Sequence, residues 1–161
     1  AGRYSLASLG LADLAVFIFF GPVAVAGTYY VQALSCPPEV LVAGIGPGLL
    51  SVGILLVNNV RDVSDDRAAG KRTLVVRLGR QVGVVLYATC VLAALLLPAG
   101  LVWWTSSHPW GGIPLLLLPL ALRPILTLVQ DTDPKQLNPL LASTGRLLVL
   151  WAVLFSIGWN L

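Results

Sequence analysis

V-L-V-A-G-I-G-P-G-L-L-S-V-G-I-L-L-V-N-N-V, residues 40–60, contains no Asp, Glu, Lys or Arg, and charge returns only at Arg61. Its length decides the fold class, because a hydrocarbon layer of about 30 Å is crossed by roughly 20 apolar helical residues. Two further charge-free stretches flank it, residues 14–38 and 81–122. The longer one is divided by Ser106-Ser107-His108-Pro109 and Gly111-Gly112, residues that punctuate chains. Over the whole chain 57% of residues are hydrophobic and 11% charged, against roughly 25% charged in soluble domains. A water-soluble fold would lack the polar surface to cover itself. No run has the basic n-region, short apolar core and cleavage box of a secretory signal.

Apolar runs and breakers therefore predict an all-α, polytopic transmembrane bundle of five helices, near residues 11–33, 40–62, 74–102, 112–130 and 138–160. Ser35-Cys36-Pro37-Pro38 and Asp131-Thr132-Asp133-Pro134 mark two of the turns. Of the ten Lys and Arg residues, six lie between positions 61 and 80: Arg61, Arg67, Lys71, Arg72, Arg77 and Arg80. Positive loops stay in the cytoplasm, so this connection is expected there, with Arg3 and Lys135 beside it and Cys36 and His108 on the far side. Trp103, Trp104 and Trp110 cluster at the far-side turn, where indoles favour the membrane interface.

Prolines within the runs, among them Pro22, Pro47 and Pro98, suggest kinked helices around a cavity. Gly44-Ile45-Gly46-Pro47-Gly48 resembles a nucleotide loop by eye, but no strand precedes it and close helix packing is the better use of its small residues. Cys36 and Cys90 have no metal-binding spacing and suggest no disulfide framework. Arg123 and Arg146 fall within or near the last two helices, where they should snorkel to the interface or face a cavity. The chain has no methionine and opens on Ala1, which leads us to expect a piece of a longer polypeptide.

Chemistry is concentrated in residues 58–74, N-N-V-R-D-V-S-D-D-R-A-A-G-K-R-T-L. If the second helix continues past Asn59, then Asn58, Asp62 and Asp66 recur every four residues and share one face. Two carboxylates suit Mg²⁺, which commonly takes one or two protein carboxylates and completes its shell with water and substrate phosphate. Arg61, Arg67, Lys71 and Arg72 supply matching charge for a diphosphate. The competing reading is a solvated loop in which cations serve topology and acids offset them. The four-residue spacing, with three of seven acids within residues 62–66, favours the metal–diphosphate site.

The run N-N-x-R-D-x-x-x-D-R-x-x-G-K-x-T-L, followed by Arg77-Leu78-Gly79, resembles the second aspartate-rich motif of the UbiA superfamily of intramembrane prenyltransferases. F-F-G-P-x-x-V-x-G-T-Y-Y-V-Q at residues 19–32, and Asp133-Pro134 before the last helix, look like its 1,4-dihydroxy-2-naphthoate branch. The resemblance covers essentially residues 1–161 and implies the C-terminal part of a nine-helix domain, these five helices being the last five. It implies that Asp62 and Asp66 hold Mg²⁺ and that Asn58 and Asn59 join them in catalysis, while Asp65 falls in a variable gap. Tyr29 and Tyr30 are further candidates for the cavity wall. A first aspartate motif is not found in these residues, so the missing N-terminal helices are an expected partner.

The implied reaction moves a polyprenyl group from its diphosphate to 1,4-dihydroxy-2-naphthoate with decarboxylation, giving demethylmenaquinone, in the bacterial inner membrane with the site facing the cytoplasm. Membrane lipid is an expected partner and nucleic acid is not. The alternatives are another prenyltransferase of the superfamily, serving a quinone, haem or chlorophyll pathway, and a non-catalytic membrane module with a lipid-touching basic loop.

Overall fold

The computed structural model describes residues 11–130 and 133–161; Ala1, Arg3, Asp131 and Thr132, for which expectations were stated, lie outside the described residues. In chain order the helices are α1 (Ala12–Ala33), α2 (Pro38–Arg61), α3 (Val63–Ala68), α4 (Leu74–Leu78), α5 (Arg80–Thr105), α6 (Pro109–Gln130) and α7 (Pro134–Asn160). All but α3 and α4 are long and apolar enough to cross a membrane. With no strand among the described residues, the chain is an all-α polytopic membrane bundle, as the charge-free runs require.

The helix ends depart from the sequence expectation in an instructive way. α2, α6 and α7 start at Pro38, Pro109 and Pro134, each with proline in the first turn, rather than at 40, 112 and 138. The pyrrolidine ring presets a helical φ, and the N–H it lacks would have been unpaired there anyway. Residues read as breakers are initiators. The expected single helix 74–102 is instead divided at Gly79, whose φ of 91° belongs to a region open mainly to glycine.

Inside the spans, each proline leaves a carbonyl without its usual partner. Pro22 has no N–H for Ile18, and the chain responds with a π-helical turn, Phe19–Val23, kinked at Gly21. That kink presses α1 onto α2: a Cβ at Gly21 would stand 2.7 Å from the Gly44 carbonyl oxygen and 2.8 Å from the Gly48 Cα. Gly46 meets the Trp151 indole of α7. The glycine stretch of α2 is thus a packing surface, two of its residues serving α1 and one serving α7.

Pro98 likewise deprives Ala94 of an N–H four residues on, and Trp151 Nε1 donates to the Ala94 carbonyl at 2.8 Å. Nearby, the buried Tyr87 hydroxyl and Thr144 Oγ1 lie 2.9 Å apart, with Thr144 also bonded to the Leu140 carbonyl at 2.8 Å. These contacts join α5 to α7 in the apolar core that contains Leu50, Leu56, Leu95 and Leu147.

One end of the bundle gathers the polar ties. Arg61 reaches from α2 to Asn138 on α7 at 2.9 Å, and Arg80 donates at 2.7 Å to the Leu128 carbonyl, one of the last-turn acceptors of α6. The opposite end is aromatic. Trp151, Phe155 and Trp159 stack along α7, and His108 closes the column with ring centroids 4.3 Å from Trp159. Trp103, Trp104 and Trp110 are exposed at this end, in keeping with an interfacial belt.

Candidate functional site

The α2 helix yields at Asp62, whose φ of −98° and ψ of 14° depart from the helical values. The helix therefore ends at Arg61 rather than 62, and α3 starts at Val63. The hydrogen-bond ladder nonetheless passes through the bend, since Asp62 N donates to Asn58 O at 2.9 Å and Asp66 N to Asp62 O at 2.8 Å. Asn58, Asp62 and Asp66 thus occupy successive turns, as the spacing predicts.

The two aspartates have different environments. Asp62 is gripped by both forks of its neighbour, Arg61 Nε to Oδ1 and Nη2 to Oδ2, each at 2.7 Å. This bidentate bond, with the Arg61 and Lys71 charges behind it, holds the Asp62 carboxyl below the usual carboxylate range against the opposing effect of burial. Asp66 is only 6% exposed and accepts from Lys71 Nζ at 2.6 Å. Gly70, at a φ of 70°, turns the chain so that Lys71 folds back, its own N–H bonding the Asp66 carbonyl at 2.9 Å. The Asp66 carboxylate raises the Lys71 ammonium above the usual lysine value.

Asp65 is exposed on the other side of α3. Arg67 and Arg72 are also exposed and meet no carboxylate among the described residues, so they stand free beside the aspartates. Thr73 caps α4 by accepting from Val76 N at 3.3 Å, which gives the threonine of the motif a structural use.

The adjacent asparagines separate. Asn59 is buried in the bundle, whereas Asn58 lines an open groove of about 350 Å³ with Val16, Phe20, Ser51, Ile54, Leu55 and Leu148. An open-sided, largely apolar chamber thus lies one helical turn from Asp62, with Asn58 between them. Tyr29 and Tyr30 are not brought to it: both are exposed farther along α1, Tyr29 lining a separate external trough with Thr28 and Gln32.

Sequence reasoning missed two residues here. Asn138 orients Arg61 from 77 positions away, and nothing local marks it. Asp13 is 7% exposed with an Oδ1 that has no hydrogen-bond partner, on the α1 face that carries Val16 one turn later. Its signal was available: a carboxylate immediately before a charge-free run.

No cluster of three or more His, Cys, Asp or Glu side chains among the described residues is set to enclose a metal. The donor set at Asp62 and Asp66 is two hard carboxylates, with Arg61 and Lys71 already on them and free cations beside them. Such a set can share a divalent cation with a phosphate ligand but cannot enclose one alone.

A membrane helix bundle with this charged cluster at the edge of an apolar chamber belongs to the UbiA prenyltransferase family, whose family profile matches residues 4–144. Among curated relatives, the chain is 36% identical over 151 residues to the 1,4-dihydroxy-2-naphthoate octaprenyltransferase of Escherichia coli, covering 93% of this chain and 49% of that protein. It is 40% identical over 144 residues to the Mycobacterium tuberculosis protein of the same name, covering 89% and 48%. A 2-carboxy-1,4-naphthoquinone phytyltransferase from Synechocystis matches at 34% over 118 residues, 67% of this chain and 38% of that one. The chain spans about half the length of the first two relatives.

Proposed function

We propose that residues 1–161 are the C-terminal part of a prenyltransferase that joins a polyprenyl group to 1,4-dihydroxy-2-naphthoate with decarboxylation, giving demethylmenaquinol, whose separate two-electron oxidation yields demethylmenaquinone. The observation that carries this reading is the placement of Asn58 between an apolar chamber and the Asp62–Asp66 turns. An amphiphile with a hydrocarbon tail and a diphosphate head needs that adjacency. Val16, Phe20, Ile54, Leu55 and Leu148 receive the tail next to the diphosphate, and once the remaining helices close over them they keep water from the allylic carbon as its C–O bond breaks.

Mg²⁺ held by Asp62 and Asp66 would neutralise charge on the departing diphosphate. Arg61 stays beside it through Asn138 when its grip on Asp62 loosens, so one guanidinium can move from carboxylate to phosphate oxygen. Lys71, Arg67 and Arg72 add positive charge whose attraction strengthens as the leaving group becomes more negative. Electrons of the broken C–O bond leave with diphosphate; the new C–C bond forms at the acceptor carbon as carbon dioxide departs. The remaining helices of the fold complete the chamber, and the cluster faces the cytoplasm across a bacterial inner membrane, where the six-cation connection belongs.

The test is equilibrium binding of farnesyl diphosphate to the protein as the cell makes it, in nanodiscs, with and without Mg²⁺. Mg²⁺-dependent binding that Asp62→Asn weakens supports the reading. Binding indifferent to both would leave the charged segment as a topology signal and favour a non-catalytic module.

A further inference from the structure

Arg123 on α6 and Arg146 on α7 lie inside membrane spans, and the prenyl-transfer reading uses neither. At about 1.5 Å per residue, Arg146 stands about 18 Å along α7 from Pro134, and Arg123 about 10 Å along α6 from Gln130. Both line one groove of about 540 Å³ between the helices, together with Thr127, Gln136 and Ser143. Neither guanidinium meets a carboxylate among the described residues. Two cations at membrane depth are costly unless they snorkel to the interface or an anion or polar cavity receives them.

The groove's remaining polar groups narrow what the anion is. Thr127 Oγ1 donates to the Arg123 carbonyl at 3.0 Å and Ser143 Oγ to the Leu140 carbonyl at 2.9 Å. Their hydrogens are spent within their own helices, so only the two guanidinium forks and the Gln136 amide offer donors. Several N–H donors from arginine, converging without a competing acid, match the oxygens of a phosphate group. A second observation extends the ligand. Arg146 also borders an apolar trough of about 620 Å³ lined by Ala142, Gly145, Val149 and Leu150, on the outer face of α7. A charged groove and an open apolar face of α7 that share one arginine fit a head joined to a tail.

We propose that the α6–α7 groove binds the phosphate head of a membrane amphiphile, its hydrocarbon tail lying along α7 over Gly145. The site is separate from the Asp62–Asp66 turns and does not depend on their role. An anionic phospholipid and a prenyl diphosphate share this chemistry, and the experiment distinguishes them.

The protein as the cell makes it is purified in detergent and offered phosphatidylglycerol, or farnesyl diphosphate in the absence of Mg²⁺, with retention read by native mass spectrometry. Arg123→Gln with Arg146→Gln should lower retention of the true ligand by about tenfold or more, since each lost arginine–phosphate contact is a charge-assisted bond. Lys135→Gln, the loss of an exposed cation outside the groove, should change nothing. A Cβ built at Gly145 meets no atom within 4 Å, so Gly145→Leu adds bulk on the open α7 face and should displace the tail even if the arginine variants fold poorly. Arginine-dependent retention of phosphatidylglycerol identifies a structural lipid; Mg²⁺-independent, arginine-dependent retention of farnesyl diphosphate identifies a second prenyl diphosphate site. Retention of both probes undiminished in Gly145→Leu, or no retention of either by the unaltered protein, overturns the proposal.

Discussion

Replacing Asp62, Asp65 and Asp66 one at a time by alanine separates a reactive site from a charged loop, because each change removes one carboxylate from the same short segment. If only net charge mattered, the three losses would be alike. The structure predicts a split, since Asp62 and Asp66 sit on successive turns beside Lys71 and Arg61 while Asp65 is exposed on another face. Between Asp62 and Asp65, stability cannot mimic that split. The Arg61–Asp62 side chains are 23% and 38% exposed, so solvent screening leaves that pair at most about 1 kcal/mol. Arg61 also keeps Asn138 when Asp62 is gone. Loss of a ligand at a centre where charge develops costs about 4 kcal/mol of barrier, or about a thousandfold in rate. The assay is prenyl transfer by the reconstituted protein as the cell makes it, with Mg²⁺ titrated and the thermal midpoint recorded beside it. Asp62→Ala should lose activity and Mg²⁺ dependence at nearly unchanged midpoint, Asp66→Ala should lose both together with some stability because its carboxylate is buried against Lys71, and Asp65→Ala should stay close to the parent. Turnover within about threefold of the parent for Asp62→Ala would refute the assignment, because no metal-bearing carboxylate is that dispensable.

Trp151→Phe keeps an aromatic ring beside Phe155 but orphans the Ala94 carbonyl, and should cost about 1–3 kcal/mol in the midpoint of unfolding. Adding Pro98→Ala, which returns an N–H four residues beyond Ala94, should recover part of that loss; no recovery would show that the indole acts by bulk alone. The pH dependence follows from the signs of two shifts. Asp62 is held below its unfolded value, so its contribution is present above the ordinary carboxylate range and lost as pH falls through the folded value, while Lys71 is raised, so its contribution is lost only as pH rises past the ordinary lysine range. Protection factors across residues 62–71, that is, hydrogen-exchange rates corrected for the intrinsic pH dependence of amide exchange, should therefore be flat near neutrality and fall at either extreme, and a step near pH 6–7 would contradict it. For topology, exposed Cys36 should react in intact cells with an impermeant thiol reagent while an introduced Ser64→Cys should not, and the reverse pattern would invert the membrane orientation.

Which parts of this protein are legible in the chain alone follows from the range of the forces involved. Crossing a membrane is a local property of a stretch of residues, so the charge-free runs suffice to define five spans, and the cation cluster and tryptophans to order their ends. The Asn58–Asp62–Asp66 spacing is also local, and it survives the bend because the i to i+4 bonds pass through Asp62. Helix starts were misjudged at Pro38, Pro109 and Pro134 because proline both ends and begins helices, and only the backbone direction on either side tells which. What needed the tertiary structure was the rotation of each helix about its axis against distant partners. That rotation buries Asn59 and leaves Asn58 on the chamber, and it sends Tyr29 and Tyr30 to the exterior. It brings Asn138 to Arg61, aims the Trp151 indole at the carbonyl freed by Pro98, and places Arg123 and Arg146 in one groove. A helical pattern gives each residue an angle only relative to its own helix; the angle between helices is decided when glycine faces, indoles and freed carbonyls find one another in the packed bundle.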